Sequence, residues 1–163
     1  KKSHGSYRSD GRSIYRNGKP NVYDKFNGIK CVFAKPNRIQ MYLESNKKLE
    51  EYVGTKMSDS MYKLVKKRKE ATFPSPPPPP KESEKYVLDE YREHVRRQLD
   101  KEDQYLENKS KLFRIIMKQC SPEMKHRLSA DQTEFDKLED INDVIGLLDK
   151  IKSLVYNADG NRN

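Results

Sequence analysis

Tryptophan is absent from this chain, cysteine occurs twice and histidine three times. Two isolated thiols, Cys31 and Cys120, permit one disulfide by arithmetic but no disulfide framework, and they fit a reducing compartment better. His4, His94 and His126 have no companions at metal-ligand spacing. Cys120 and His126 stand six positions apart with no third or fourth ligand near them. Neither a metal nor a cofactor is expected. Hydrophobic residues make up only 33% of the sequence, against roughly 45–50% in an ordinary soluble domain. That is too little to bury every residue in one core, so extended or disordered stretches are expected. No apolar run approaches a signal-peptide core or a spanning helix. The chain therefore reads as soluble and cytoplasmic, with no membrane partner.

Signs of catalysis are also missing. There is no glycine-rich phosphate cradle, no paired histidine–glutamate metal helix and no serine elbow. Carboxylates are plentiful, but Glu50-Glu51, Asp89-Glu90 and Glu139-Asp140 are adjacent pairs. Neighbours on a helix diverge by about 100° and do not share a site. No catalytic residue is assigned, and the chain reads as a non-enzyme.

What is present in abundance is charge, at 36% of residues and a net +9. Residues 1–30 hold eight Lys/Arg against Asp10 and Asp24, and residues 31–80 hold ten against five acids. Residues 81–163 hold 16 against 18. A cationic front half on a nearly neutral rear half points to a polyanion partner. Nucleic acid fits better than a membrane, because no apolar anchor accompanies the cations.

The pattern along the chain predicts an all-α fold: a helical bundle with a long central helix, a disordered basic N-terminal arm and a polyproline spacer. Residues 1–30 form the arm, where Arg8, Arg12, Arg16 and Lys19 are candidate phosphate contacts and Tyr7 and Tyr15 are placed to stack on bases. Residues 31–72 form an N-terminal helical segment. Its first helix is expected from Pro36 to Val53, with Ile39, Tyr42, Leu43, Leu49, Tyr52 and Val53 on one face and Gly54 as the stop. A second helix, capped by Ser58, runs into Lys66, Lys67, Arg68 and Lys69, the densest basic cluster and a second candidate phosphate contact.

Residues 73–82 form a polyproline linker, a semi-rigid spacer between two lobes that is also a possible ligand for an SH3- or WW-type domain. Residues 83–157 form the C-terminal helical domain, and 158–163 a tail. A long helix from a Ser83 cap to Gln119 has a weakly apolar middle at Asp100-Lys101-Glu102-Asp103 and is expected to pack at both ends. Ser121-Pro122 starts a short helix, and residues 129–131 turn. From Asn142 to Tyr156 comes the cleanest amphipathic stripe: Val144, Leu147, Leu148, Ile151, Leu154 and Val155. Gly146 interrupts it at a cost of about 1 kcal/mol relative to alanine. That cost implies a close backbone approach there, within the fold or between subunits.

Three ordered pieces resemble one family. Glu50-Glu51-Tyr52-Val53-Gly54 closes a helix, Gln119-Cys120-Ser121-Pro122-Glu123-Met124 joins two more, and Asp143-Val144-Ile145-Gly146-Leu147-Leu148 precedes Ile151-Lys152 and Tyr156-Asn157. In this order and spacing they are similar to the N-terminal Gag-like region of copia-type LTR retrotransposon polyproteins, over about Phe26 to Asn157. The resemblance implies a capsid-type helical protein, a piece of a longer polyprotein, that self-associates as a homo-oligomer into particles around its own RNA. Its matching residues would be structural. Two other readings fit the charge and the proline tract: a monomeric nucleic-acid-binding adaptor, and a helical scaffold subunit.

Overall fold

The computed structural model describes residues 37–157 and the backbone of two short paired segments. These are β1 (Tyr15–Arg16) and β2 (Lys19–Pro20), an antiparallel pair in which Arg16 faces Lys19. Six helices follow: α1 (Arg38–Lys56), α2 (Asp59–Lys67), α3 (Lys85–Gln119), α4 (Pro122–Leu128), α5 (Gln132–Asp140) and α6 (Val144–Tyr156). The described body is all-α, with a 35-residue helix at its centre.

Local chemistry sets most of the boundaries. The Ser58 hydroxyl accepts the N–H of Met61, Ser121 that of Met124, Asp131 that of Glu134 and Asp143 that of Gly146. Each satisfies a backbone donor that the first helical turn leaves open. Pro122 sits in the first turn of α4, where no N–H is required. α2 ends at Arg68, whose φ of 52° is left-handed, and α6 is entered through Asn142 at φ 49°.

Several expectations need correction. Gly54 does not stop α1, which continues to Lys56. Its bare Cα instead makes room for the Tyr62 ring, which lies 3.2 Å from where a Cβ would stand. The buried stripe of α1 is Tyr42, Ser45, Leu49 and Val53, whereas Ile39 and Leu43 point outward. Leu43, next to Tyr42, lies off the line set by three- and four-residue steps from it, whereas Ile39 is on that line but sits in the helix's first turn. α3 starts after Glu84. Ser83 caps nothing there, since its hydroxyl donates to the Pro80 carbonyl at 2.7 Å and closes the turn leaving the prolines. The Pro36 start and the basic arm apart from its short β-pair, Arg8 and Arg12 included, lie outside the described residues.

One apolar cluster joins Leu49, Val53, Met61, Leu64 and Val65 of the first two helices to Leu112, Ile116, Met124, Leu147 and Ile151 of the others. Residues from both sides of the proline tract thus share a single core. α6 is its axis and contacts every other helix. Each fully buried aliphatic side chain there contributes roughly 1.5–3 kcal/mol relative to exposure.

The tract is therefore not a spacer that holds two lobes apart. It runs back along the N-terminal half of α3: Phe73 packs on Tyr105 with ring centroids 5.3 Å apart, and Gln98 donates to the Pro74 carbonyl at 3.1 Å. Phe73, Pro76 and Pro79 are half-buried while the residues between them are exposed, the three-residue period of a polyproline II strip. On α3, Leu88, Tyr91, Val95 and Gln98 are half-buried as well. Extended chain from 74 to 80 covers about 19 Å, and helix from 98 to 85 about 20 Å, so the two lengths match. α3 buries its apolar residues among other helices only from Tyr105 onward. The long helix packs on the bundle at one end, not at both.

Candidate nucleic-acid interface

The end of α2 gathers the charge. Of its four cations, two are committed to the fold. Lys66 donates to Glu50 of α1 at 2.9 Å, and that hydrogen bond, aided by the carboxylate's charge, raises the ammonium above its ordinary pKa. Arg68 bridges to Asp149 of α6 at 3.4 Å and donates to the Val65 carbonyl. Lys67 and Lys69 are exposed and, among the described residues, have no acid within ion-pair distance.

Lys67 and Lys69 share a groove of about 440 Å³ with Lys63, Ser60 and the start of the proline strip. Lys63 and Lys67 lie four apart and so point the same way on α2. Lys63 also holds Asp59 at 2.6 Å, an exposed pair worth little. The one acid lining the groove, Glu70, is occupied: Tyr105 donates to one of its oxygens and Lys109 to the other at 2.9 Å. Partial burial works against ionisation of this carboxyl. The bonds from Tyr105 and Lys109, with the Lys109 charge, outweigh that burial and hold it below its ordinary value. Desolvation, and then the bond to Glu70, push the Tyr105 phenol up to about 12. The groove therefore presents ammonium groups to solvent with its carboxylate already neutralised.

Two further clefts border the strip. One, of about 530 Å³, lies between residues 74–77 and His94, Arg97, Gln98 and Lys101 of α3. The other, of about 230 Å³, is lined by Ser58, Ser60, Phe73, Lys101, Gln104, Tyr105 and Asn108. Arg97 is partly engaged with Glu93 at 3.3 Å.

Only part of the sequence-predicted set comes together here. Lys67 and Lys69 do, Lys66 and Arg68 serve helix packing, and Arg16 and Lys19 are placed only as backbone partners in the short β-pair. Lys63 and Lys101 were not singled out by sequence. The four-residue step from Lys63 to Lys67 carried the signal for the first. Nothing local signals Lys101, because the strip that places it beside the groove folds back from a distant turn.

The apolar stripe of α6 is spent inside the chain: Val144, Leu147, Leu148, Ile151 and Val155 are buried in the core and Leu154 packs against it. Gly146 is tight, but against side chains rather than another backbone. A Cβ there would stand 2.7 Å from Leu138 Cδ2 and 2.4 Å from the Asp143 carboxylate. Cys120 is buried, with its thiol directed at the Ile116 carbonyl at 3.4 Å, and His126 is exposed. Among the described residues no cluster of His, Cys, Asp or Glu is arranged to hold a metal. Nor is any helix among them long and apolar enough to cross a membrane. Of the proline tract, Phe73, Pro76 and Pro79 are half-buried and Phe73 packs on Tyr105 of α3. No family model matches this chain, and neither curated proteins nor solved structures give a match.

Proposed function

We propose that the chain is a non-enzymatic, Gag-like structural module that binds RNA and self-associates. The observation that carries the RNA part is the groove at the end of α2, where Lys63, Lys67 and Lys69 converge and the only lining acid is taken up by Tyr105 and Lys109. Such a surface binds phosphate backbones through counterion release, without reading sequence.

Self-association cannot use the α6 stripe, which is buried within the chain. Among the exposed apolar side chains that remain, Leu99 and Leu106 stand two turns apart on α3, 55% and 50% exposed. Sedimentation across a concentration series, with and without RNA, tests this. Oligomers are expected, and L99E/L106E should reduce them without lowering the denaturation midpoint. A strict monomer at high concentration in both conditions removes the assembly reading. The burial of the α6 stripe favours a second reading, a monomeric nucleic-acid-binding adaptor, and the same experiment separates the two.

A further inference from the structure

The clefts beside the proline strip adjoin one another. Lys101 lines both the cleft at residues 74–77 and the one at Phe73, and Ser60 lines the latter and the lysine groove. Residues 70–77 form one wall of all three, about 22 Å of extended chain. Lys63, Lys67, Lys69 and Lys101 stand along it, and Phe73 lines the middle cleft.

We propose that this run is a track for a single-stranded nucleic acid, with phosphates on the lysines and a base against Phe73. It rests on the RNA-binding reading above and gives that reading a location. Pro74, Pro76 and Pro77 have no N–H to offer and that of Ala71 is taken by Tyr105, so anion binding there falls mainly to the flexible lysines, which tolerate any sequence. The amides of Gln104 and Asn108 and the hydroxyls of Ser58 and Ser60 supply neutral hydrogen-bonding groups for bases or sugars. An aromatic ring between cations suits unstacked bases, which a duplex does not offer. The length accommodates on the order of four nucleotides, the low end for single-strand sites.

The test is fluorescence anisotropy of the full chain with labelled oligouridine and oligodeoxythymidine of about twelve nucleotides, over a salt series. K67Q/K69Q/K101Q is compared with K125Q/K137Q/K152Q, which removes the same charge from exposed sites off the track. Circular dichroism checks that both variants stay folded. The track variant should lose tenfold or more in affinity and about two from the logarithmic salt slope, since each single-strand phosphate contact contributes about 0.7. The control should lose less than threefold. The two oligonucleotides report which sugar is preferred. Equal losses in the two variants, tighter binding of a duplex, or equal binding of polyglutamate overturn the track. If the unaltered chain binds steeply with salt but the variants coincide, only the location fails. If the unaltered chain binds neither oligonucleotide, the RNA-binding reading fails with it.

Discussion

The Tyr105 hydroxyl donates to Glu70, thirty-five positions earlier in the chain, while accepting the Ala71 N–H at 3.2 Å. One oxygen atom thereby pins the start of the proline strip to the centre of α3, and Lys109, one turn further along, holds the same carboxylate. Tyr105→Phe removes the acceptor of a partly buried N–H and one donor to Glu70. A loss of about 1–3 kcal/mol is expected, read from urea denaturation. Hydrogen exchange at Ala71 should accelerate with it, whereas exchange in α6 should change only by the global amount.

The same contacts give stability a dependence on pH at both extremes. Glu70 titrates lower in the folded chain than unfolded, so its contribution is present above its ordinary value of 4.5 and is lost as pH falls through the folded value. Tyr105 titrates higher when folded, so its contribution is full below pH 10 and lost between pH 10 and about 12. Denaturation midpoints followed by circular dichroism should show a shallower acid limb in Glu70→Gln. They should show a shallower alkaline limb in Tyr105→Phe. Parallel curves for variant and parent would refute the assignment.

Gly146 tests side-chain crowding against helix propensity. Alanine in a helix gains about 1 kcal/mol over glycine, but here the new methyl meets Leu138 and the carboxylate that caps α6. Gly146→Ala should destabilise by about 1–2 kcal/mol, the scale of a lost cap plus overpacking. In an Asp143→Ala background, where the cap is already gone, the same change should cost less. A double-mutant cycle measures the difference.

Arg68 occupies a left-handed position that glycine ordinarily fills. Arg68→Ala keeps the strained backbone and loses the contacts to Asp149 and Val65. Arg68→Gly loses the same contacts but relieves the backbone. The glycine variant should therefore be more stable than the alanine variant by about 1 kcal/mol, with the parent near the glycine variant because an exposed ion pair adds at most about 1 kcal/mol. Equal midpoints for the two variants would count against strain at this residue.

The parts of the fold that were legible in sequence are those governed by near neighbours. Ser58 and Ser121 announced α2 and α4 because a cap acts across three residues, and the stripe from Val144 to Val155 announced α6 because helical periodicity is local. What escaped prediction depends on partners far along the chain. Gly54 looked like a stop until Tyr62 supplied a reason for it inside α1. α5 carries too few apolar residues to stand out after the turn at 129–131, although Asp131 caps it as plainly as the serines cap theirs. Lys109, charged and in a polar stretch, gave no hint of burial, which only Glu70 makes tolerable. Within the basic cluster the sequence could not separate Lys67 and Lys69 from Lys66 and Arg68, since Glu50 and Asp149 are brought up by tertiary packing.

The proline strip also decides how crowded copies of this molecule can touch. A β-strand laid along α3 would offer a row of open amides, and any neighbouring extended segment could pair with it. Residues 76–80 are five successive prolines and have no N–H to give. Molecules pressed together at high local concentration are thus denied edge-to-edge zippering on this side, and only side-chain contacts remain to set their arrangement.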